Sequence, residues 1–303
     1  MANDGSTDRR PRVLAITLNW RQPEVTLECL RALMAMRTGA ALDILVIDNG
    51  SDEDAAGNPA EGVVTRLRRE LPPVVRLLAL PHNVGFGPGN NIGLRQAMAE
   101  LDELLAAMGD RVALVSPKIY YEAEPDTLWF AGGRRARRTL DLVETGRGRK
   151  DGVAWAGDRD VDYLLGTCLL VNLAAAGSVG FFDERYFMYF EDLDWSIRLQ
   201  QAGYRLRLAA GARLYHRVAV SSGGLESPAR RYHLARSGVI FWRSHQRLGN
   251  PIAIVLFRLG SAVKMMSRLV LRGQRAAAAA YWRGLVDGWR LSSRRDDAEQ
   301  TQL

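Results

Sequence analysis

Residues 42–52 read LDILVIDNGSD, an apolar run that ends abruptly in a polar turn. A short apolar run of β-branched residues bounded by turn residues is typical of a buried strand. Residues 13–18 have the same character, and residues 24–36 between the two runs carry apolar positions at helical spacing. A third apolar run covers residues 74–80. Strand, helix and strand in succession predict an α/β fold with an open parallel sheet, whose ligands bind beyond the carboxyl ends of the strands.

The size and composition of the chain limit its class. It has 303 residues, of which 47% are hydrophobic, which suits one large α/β domain plus an appendage. We expect the polar residues 1–10 and 291–303 to lack fixed structure, and we see no secretion signal in the first of these segments. Cys29 and Cys168 provide neither a disulfide framework nor a zinc pattern, which fits a reducing cytoplasm.

A glycine-rich turn follows the third strand. Residues 82–91 read HNVGFGPGNN and lead into a predicted helix, where backbone N–H groups can approach a phosphate. The spacing matches neither a Walker motif nor a dinucleotide fingerprint, so this signal is weak when taken alone. Asp48, just beyond a strand, can accept hydrogen bonds from a ribose hydroxyl or a base, although DNGS is equally ordinary turn chemistry.

Residues 188–195 read MYFEDLDW and place three carboxylates within four positions, beside aromatic residues. Crowded and partly buried carboxylates shift their pKa values or gather around a cation, an arginine or a reacting hydroxyl. The pattern after this stretch is helical. Glu191 and Asp192 therefore open a helix, and they would also serve as ordinary acids at its N-terminus.

Taken together, the motifs of the chain resemble the inverting family-two glycosyltransferases, and the rhamnosyltransferase-like branch is the most similar. The resemblance runs from about residue 12 to residue 245. The motifs that carry it are VIDNGSD at 46–52, NVGF at 83–86 with GNN at 89–91, YLLGTCLL at 163–170, FFDE at 181–184, EDLD at 191–194, GYRL at 203–206 and LYH at 214–216.

This resemblance implies an A-type glycosyltransferase fold, Rossmann-like, with a mostly parallel sheet flanked by helices. The transferase domain would cover residues 11–245, with a nucleotide-binding half at about 11–118 and an acceptor half at about 119–245. The donor would be a nucleotide sugar, such as a UDP-sugar or a dTDP-sugar. The residues implied to hold or surround this donor are Thr17, Asn19, Asp48, Asn83, Gly87 and Asn90.

The resemblance also assigns roles in catalysis. Asp192 would be the general base that takes the proton of the acceptor hydroxyl in a single inverting displacement. Glu191, Asp194 and Trp195 would orient the acceptor, with packing favoured over sugar stacking for Trp195. His216 would be a ligand of the divalent metal, Mn²⁺ or Mg²⁺, that bridges the donor diphosphate.

One part of the family pattern is not found. The family has an apolar strand ending in an Asp-x-Asp metal motif after the glycine-rich helix, and this sequence passes directly to the next helix and strand. An internal deletion of one strand is the simplest account, with Asp102, Glu103 and Asp110 as the substitutes to consider. Without the carboxylates of the Asp-x-Asp motif, we expect the chain to be a poor catalyst. The alternative function is a glycosyltransferase-like protein that binds a nucleotide sugar or a partner without turnover.

The basic residues are almost all arginines, and the formal net charge is +7. Arginine suits contacts with phosphate or anionic lipid, but its abundance can equally reflect genomic base composition. Residues 134–158, rich in Arg and Gly, predict either a solvated loop or an acceptor-side lid that meets a lipid-linked pyrophosphate. The run lacks interleaved aromatic residues and a recognition motif, so we expect no nucleic-acid binding.

Residues 246–292 differ in character from the rest. Apolar residues alternate with Lys264, Arg268, Arg272 and Arg275 at near-helical spacing, in a stretch too short to span a bilayer. Such an amphipathic helix would lie on an anionic membrane surface, or it would simply cap the catalytic domain. We therefore predict a glycosyltransferase with a glycan or lipid-linked acceptor of the cell envelope, cytoplasmic and peripheral on the inner face of the membrane.

Overall fold

The computed structural model describes residues 12–52, 62–100, 111–217 and 227–300, without the side chains of residue 12, residues 96–100 and residues 292–300. Asp102, Glu103 and Asp110, the proposed substitute metal ligands, lie outside the described residues, as do residues 1–10. The chain divides into two compact units, Met1–Gly109 and Asp110–Leu303.

The first unit contains a three-stranded parallel sheet in the order β1-β2-β3, which confirms the predicted open sheet. Its elements in chain order are β1 (Arg12–Asn19), α1 (Pro23–Met34), β2 (Ala41–Asn49), α2 (Val63–Glu70), β3 (Val75–Leu80) and α3 (Phe86–Glu100).

The middle strand β2 is covered by helices because its side chains are apolar. Ile44 and Val46 form one cluster with Leu27 and Leu30 of α1 and with Leu67 of α2. Such burial stabilises by roughly 1.5–3 kcal/mol for each large side chain. The pairing of β1 with β2 then sets their last residues side by side.

The second unit is built around β4 (Val112–Tyr121), which pairs in parallel with β10 (Arg205–His216). Antiparallel partners complete this sheet, namely β5 (Glu124–Phe130), β8 (Arg159–Asp160) and β9 (Leu170–Val171). Residues 134–158 are not a plain loop. They include most of a hairpin, β6 (Gly133–Arg135) with β7 (Leu142–Glu144), and a 3-10 turn at Val153–Trp155.

Helices make up the rest of the second unit: α4 (Leu173–Val179), α5 (Glu191–Gln201), α6 (Pro228–His245), α7 (Pro251–Leu271) and α8 (Arg275–Gln300). Helices α6 and α8 lie in close contact. A Cβ at Gly284 would lie 2.3 Å from the carbonyl oxygen of Tyr232, so a glycine is needed for this approach. The helical C-terminal extension is confirmed, and residues 291–300 continue α8, contrary to the expectation that this end lacks structure.

No helix in the described ranges is long and apolar enough to cross a membrane.

Candidate active site

A buried polar network joins the carboxyl ends of β1 and β2. Asn19 Nδ2 donates to Asp48 Oδ1 at 2.6 Å and to Ser51 Oγ at 3.2 Å. The backbone N–H of Ser51 donates to Asp48 Oδ2 at 2.9 Å, and Thr26 Oγ1 donates to Asn19 Oδ1 at 2.7 Å. Asp48 is fully buried. Both of its oxygens therefore accept from protein groups, and the network fixes the two strand ends relative to each other.

A second set of hydrogen bonds ties the end of β2 to the glycine-rich turn. Asn49 Nδ2 donates to Asn83 Oδ1 at 3.0 Å and to the carbonyl oxygen of Gly85 at 3.0 Å. Gly50 has φ +68°, and a Cβ there would lie 2.2 Å from the carbonyl carbon of His82. The two turns can approach this closely because residue 50 has no side chain.

The other predicted donor residues lie at the same edge of the sheet. Thr17, on β1, is partly buried, and Gly87 is buried in the first turn of α3. Asn90 Nδ2 donates to the carbonyl oxygen of Phe86 at 2.9 Å. The side chains of Asn83 and Asn90 are partly exposed. The side chains of Asn19 and Asp48, in contrast, are buried and do not reach the surface.

In the second unit, a strained turn precedes α5. Tyr189 and Phe190 have φ of 68° and 72°, a left-handed conformation that costs a non-glycine residue roughly 1–2 kcal/mol. Contacts from α6 hold this turn. The Phe190 ring lies 5.3 Å from that of Phe241, and Ser237 Oγ donates to the carbonyl oxygen of Met188 at 2.8 Å.

Asp192 lies in the first turn of α5 and is partly buried. Its Oδ2 accepts from the backbone N–H of Gly166 at 2.8 Å, and its Oδ1 accepts from the backbone N–H of Leu193 at 2.9 Å. Burial raises the pKa of Asp192 from its ordinary value of 3.8 to about 6; these N–H groups oppose the shift and the charge on Glu144 adds to it. The carboxylate is thus held in place and titrates near neutral pH.

The groups beside Asp192 are buried, and burial disfavours their charged forms. Glu191 is 5% exposed, and its Oε2 has no hydrogen-bond partner among the residues described. Burial, and then the charge on Asp192, raise the pKa of Glu191 well above its ordinary value. The hydroxyl of Tyr163 is likewise buried without a described partner, and burial raises its pKa. Of the two carboxylates, Asp192 is the one with both oxygens held by backbone N–H groups, which favour its ionised form.

Asp194 and Trp195 lie in the core of the second unit. Asp194 accepts from Arg198 Nε at 2.7 Å, its other oxygen lies 2.8 Å from His245 Nε2, and the indole N–H of Trp195 donates to the carbonyl oxygen of Gly180 at 2.8 Å. Trp195 is fully buried and Asp194 is 2% exposed. Neither side chain reaches the surface, so any effect on an acceptor acts through the position of α5. No local sequence pattern indicates His245, which is 51 residues from its partner.

Among the residues that the structure describes, those around His216 do not supply the ligands of a divalent metal. The imidazole lies 4.9 Å from the ring of Trp129, and burial lowers its pKa, which favours its neutral form. The charge of Glu122 acts on His216, but this carboxylate accepts from Arg217 at 2.6 and 2.9 Å. Within the described ranges, no group of three or more His, Cys, Asp or Glu residues is placed to hold a metal ion. A hard cation needs several oxygen ligands, and these residues do not provide them.

Three contributors to the Asp192 site were not predicted. Gly166 and Tyr163 belong to the motif at residues 163–170, which carried the resemblance without an assigned role, and Glu144 belongs to the arginine-rich segment. Their proximity to Asp192 depends on how β7 and the 163–170 segment meet α5, which periodicity does not indicate.

Two family models match the chain. The model described as Glycosyl transferase family group 2 matches residues 97–278, which is more than half of the chain, and Glycosyl transferase family 2 matches residues 12–110.

Individual proteins show the same likeness. The N-acetylglucosaminyl-diphospho-decaprenol L-rhamnosyltransferase of Mycobacterium tuberculosis (strain ATCC 25618 / H37Rv) is 27% identical over 323 aligned positions, covering 93% of this chain and 99% of that protein. Rhamnosyltransferase WbbL of Escherichia coli (strain K12) is 32% identical over 100 residues, covering 31% of this chain and 38% of that protein.

The crystal structure of GalNAc-T7 with UDP, GalNAc and Mn²⁺ is similar with a TM-score of 0.53 at 13% identity. The match covers 79% of this chain and spans about half, 51%, of the GalNAc-T7 chain. At this identity the likeness shows the fold alone, and the predicted A-type glycosyltransferase fold is confirmed.

Proposed function

We propose that this chain, which belongs to glycosyltransferase family 2 and resembles its rhamnosyltransferase-like branch, moves a sugar from a nucleotide-sugar donor to a cell-envelope acceptor with inversion. The observation that carries the proposal is the state of Asp192. Two backbone N–H groups fix its carboxylate, it is partly exposed, and its pKa of about 6 makes it ionised and basic at neutral pH. A general base works best when its pKa lies near the working pH.

The proposed reaction is one displacement. Asp192 accepts the proton of the acceptor hydroxyl while the hydroxyl oxygen forms a bond to the anomeric carbon of the donor. The bond between that carbon and the nucleoside diphosphate breaks, and the diphosphate leaves with the electron pair. Attack from the opposite side inverts the anomeric centre. Proton removal of this kind contributes roughly 10²- to 10⁴-fold to the rate.

We assign donor binding to the carboxyl edge of the β1-β2-β3 sheet. Thr17, Asn83 and Asn90 are partly exposed there and can contact a UDP- or dTDP-sugar. Asn19 and Asp48 act as positioning residues, because their side chains bind each other. Gly87 keeps the start of α3 free of side-chain bulk. Oriented backbone N–H groups at such an edge favour an anionic ligand.

The proposed acceptor is a glycan or a lipid-linked sugar, and the proposed location is the inner face of the cell membrane. Helix α7 supports this because it leaves a stripe of large apolar residues in solvent, flanked by Lys264 and Arg268. The stripe consists of Ile252, Leu256, Leu259, Val263 and Val270, each more than half exposed. A helix with an apolar stripe beside basic residues binds the interface of an anionic bilayer.

No step of this mechanism is assigned to a divalent ion, because the described residues around His216 do not fit one. The family resemblance nevertheless implies a divalent ion, and Mn²⁺ is present in the GalNAc-T7 structure. Assays with Mn²⁺, Mg²⁺ and a chelator decide whether the activity depends on a metal.

The lack of fitting metal ligands among the described residues around His216 favours one second candidate. It is a glycosyltransferase-like protein that binds a nucleotide sugar with little turnover. If nothing offsets the negative charge that develops on the leaving diphosphate, the reaction is slow even with Asp192 in place. Turnover of about 1 per second or more with Mn²⁺ would exclude this candidate, since that rate is typical of enzymes.

The experiment uses the full chain. Thermal unfolding with a panel of UDP- and dTDP-sugars identifies the donor, because a ligand that binds the folded state raises its apparent stability. The reaction is then tested by transfer of the sugar from that donor to an acceptor, a sugar linked through diphosphate to a short prenyl chain. The anomeric configuration of the product tests inversion. Retention of configuration would contradict a single displacement.

A further inference from the structure

An arginine-lined cleft lies in the second unit, and Asp192 is not among the residues that line it. Its volume is about 770 Å³, within the range of small-molecule sites. The β6–β7 hairpin, β8 and the turn before α7 contribute to its wall. The residues used below are Arg134, Arg135, Arg137, Arg159, Trp155 and Leu248.

One guanidinium nitrogen in this cleft lacks an acceptor among the described residues. Arg135 Nη1 is buried and has no hydrogen-bond partner in the described structure. Burial lowers the pKa of Arg135, although the charge on Asp162 opposes the shift. Asp162 Oδ2 accepts the backbone N–H of Arg135 at 2.8 Å, and Asp160, the other carboxylate of the cleft, lies 3.4 Å from Arg207 Nε. A buried N–H donor that lacks a partner is unfavourable, and an anion bound in the cleft would supply its acceptor.

A second basic cleft adjoins the first. It has a volume of about 580 Å³, shares Trp155 with the arginine cleft, and is also lined by Arg147, Arg149 and Lys150. At its edge Glu144 pairs with Arg147. The charge of Glu144 acts on Asp192, so this cleft lies within electrostatic reach of the proposed base.

The arginine cleft is also tied to the start of α7. The backbone N–H of Asn250 donates to the carbonyl oxygen of Arg138 at 3.0 Å. Arg258 Nη2 donates to Asp141 Oδ1 at 3.2 Å. These contacts fix the loop between β6 and β7 against the helix that carries the exposed apolar stripe.

We propose that the arginine cleft binds the diphosphate of a prenyl-linked sugar acceptor, with the sugar toward Asp192 and the hydrocarbon toward α7. This inference rests on the proposed function. Guanidinium groups match the oxygens of a diphosphate in bidentate pairs, and Trp155 and Leu248 offer apolar surface for the first prenyl unit. We assign the acceptor rather than the donor because the cleft belongs to the same unit as Asp192 and α7.

The test removes two exposed guanidinium groups of the cleft. Arg134→Gln with Arg137→Gln is expected to leave the fold unchanged, since both side chains are exposed. Arg68→Gln with Arg69→Gln, on the exposed face of α2, is the control with the same loss of charge. Calorimetry measures the binding of inorganic pyrophosphate, a short prenyl diphosphate, the corresponding prenyl alcohol, UDP and dTDP to each full-length protein.

We expect the cleft variant to bind pyrophosphate and prenyl diphosphate at least tenfold more weakly, with UDP, dTDP and prenyl alcohol unaffected, and the control to match the parent. In turnover, KM for the diphosphate-linked acceptor should rise at least tenfold with kcat unchanged. Equal binding of prenyl diphosphate by variant and parent would overturn the proposal. An equal loss of UDP or dTDP binding would assign the cleft to the donor and would also overturn it.

The two proposals fail separately. If no donor gives turnover but the cleft variant still loses prenyl diphosphate binding, the binding site stands and the transferase proposal fails. If transfer proceeds while the cleft variant keeps the parental KM for the acceptor, the transferase stands and the cleft assignment fails.

Discussion

Replacing Asp192 with asparagine separates catalysis from stability. The pKa of Asp192 rises from 3.8 to about 6 on folding, so at about 1.36 kcal/mol per unit its ionisation costs the folded state about 3 kcal/mol. Because the folded pKa is the higher one, the related stability is fully present below pH 3.8 and is lost as the pH rises through about 6. At pH 8 the parent protein therefore carries the whole cost.

Asparagine has nearly the same shape and no charge, so the variant avoids that cost. Its amide NH₂ must face the N–H of Gly166 or of Leu193, which removes one hydrogen bond worth about 1–3 kcal/mol. We therefore expect Asp192→Asn to be as stable as the parent at pH 8, or up to about 2 kcal/mol more stable. Transfer should fall by roughly 10²- to 10⁴-fold, while donor binding is kept.

The dependence of kcat/KM on pH is a second test of Asp192. With a pKa of about 6, Asp192 is roughly one tenth ionised at pH 5 and nine tenths ionised at pH 7, so kcat/KM should rise nearly tenfold between them. Thermal unfolding at pH 8 and product formation from pH 5 to 8 are the measurements, with the exposed Asp126→Asn as the control. A profile that is flat over this range, or turnover by Asp192→Asn within tenfold of the parent, would refute the assignment of Asp192 as base.

Three further changes test the rest of the structure. Asp48→Asn should lower the free energy of unfolding by about 1–3 kcal/mol, because it places an NH₂ against a buried donor; chemical denaturation measures this, and an unchanged midpoint contradicts it. Gly50→Ala should cost about 2 kcal/mol or more, since φ is +68° and the new Cβ meets the backbone of His82; a melting temperature within one degree of the parent would be inconsistent with that geometry. Leu259→Ser with Val263→Ser removes apolar groups that are 60% and 66% exposed, so we expect an unchanged fold and at least tenfold weaker partition into anionic vesicles, by sedimentation across a salt series; parental partition would exclude this stripe as the membrane contact.

The sequence alone determined the local elements, because their causes are local. Apolar runs and their polar ends predicted β1, β2 and β3 to within about two residues, and the crowded acids predicted that α5 begins at Glu191. Turn chemistry depends on one or two residues in the same way, as the left-handed Gly50 shows. The resemblance was equally readable, since it rests on several motifs in a fixed order.

Only the tertiary structure decided which side chains meet. The register of β1 and β2 set Asn19 against Asp48, and the docking of α6 brought His245 to Asp194 from 51 residues away. The arginine-rich segment reads as a loop because its hairpin strands are only three residues long, too short to show a period. Contacts between distant residues depend on how packed elements exclude water and satisfy each other's polar groups, and that geometry is a property of the whole fold.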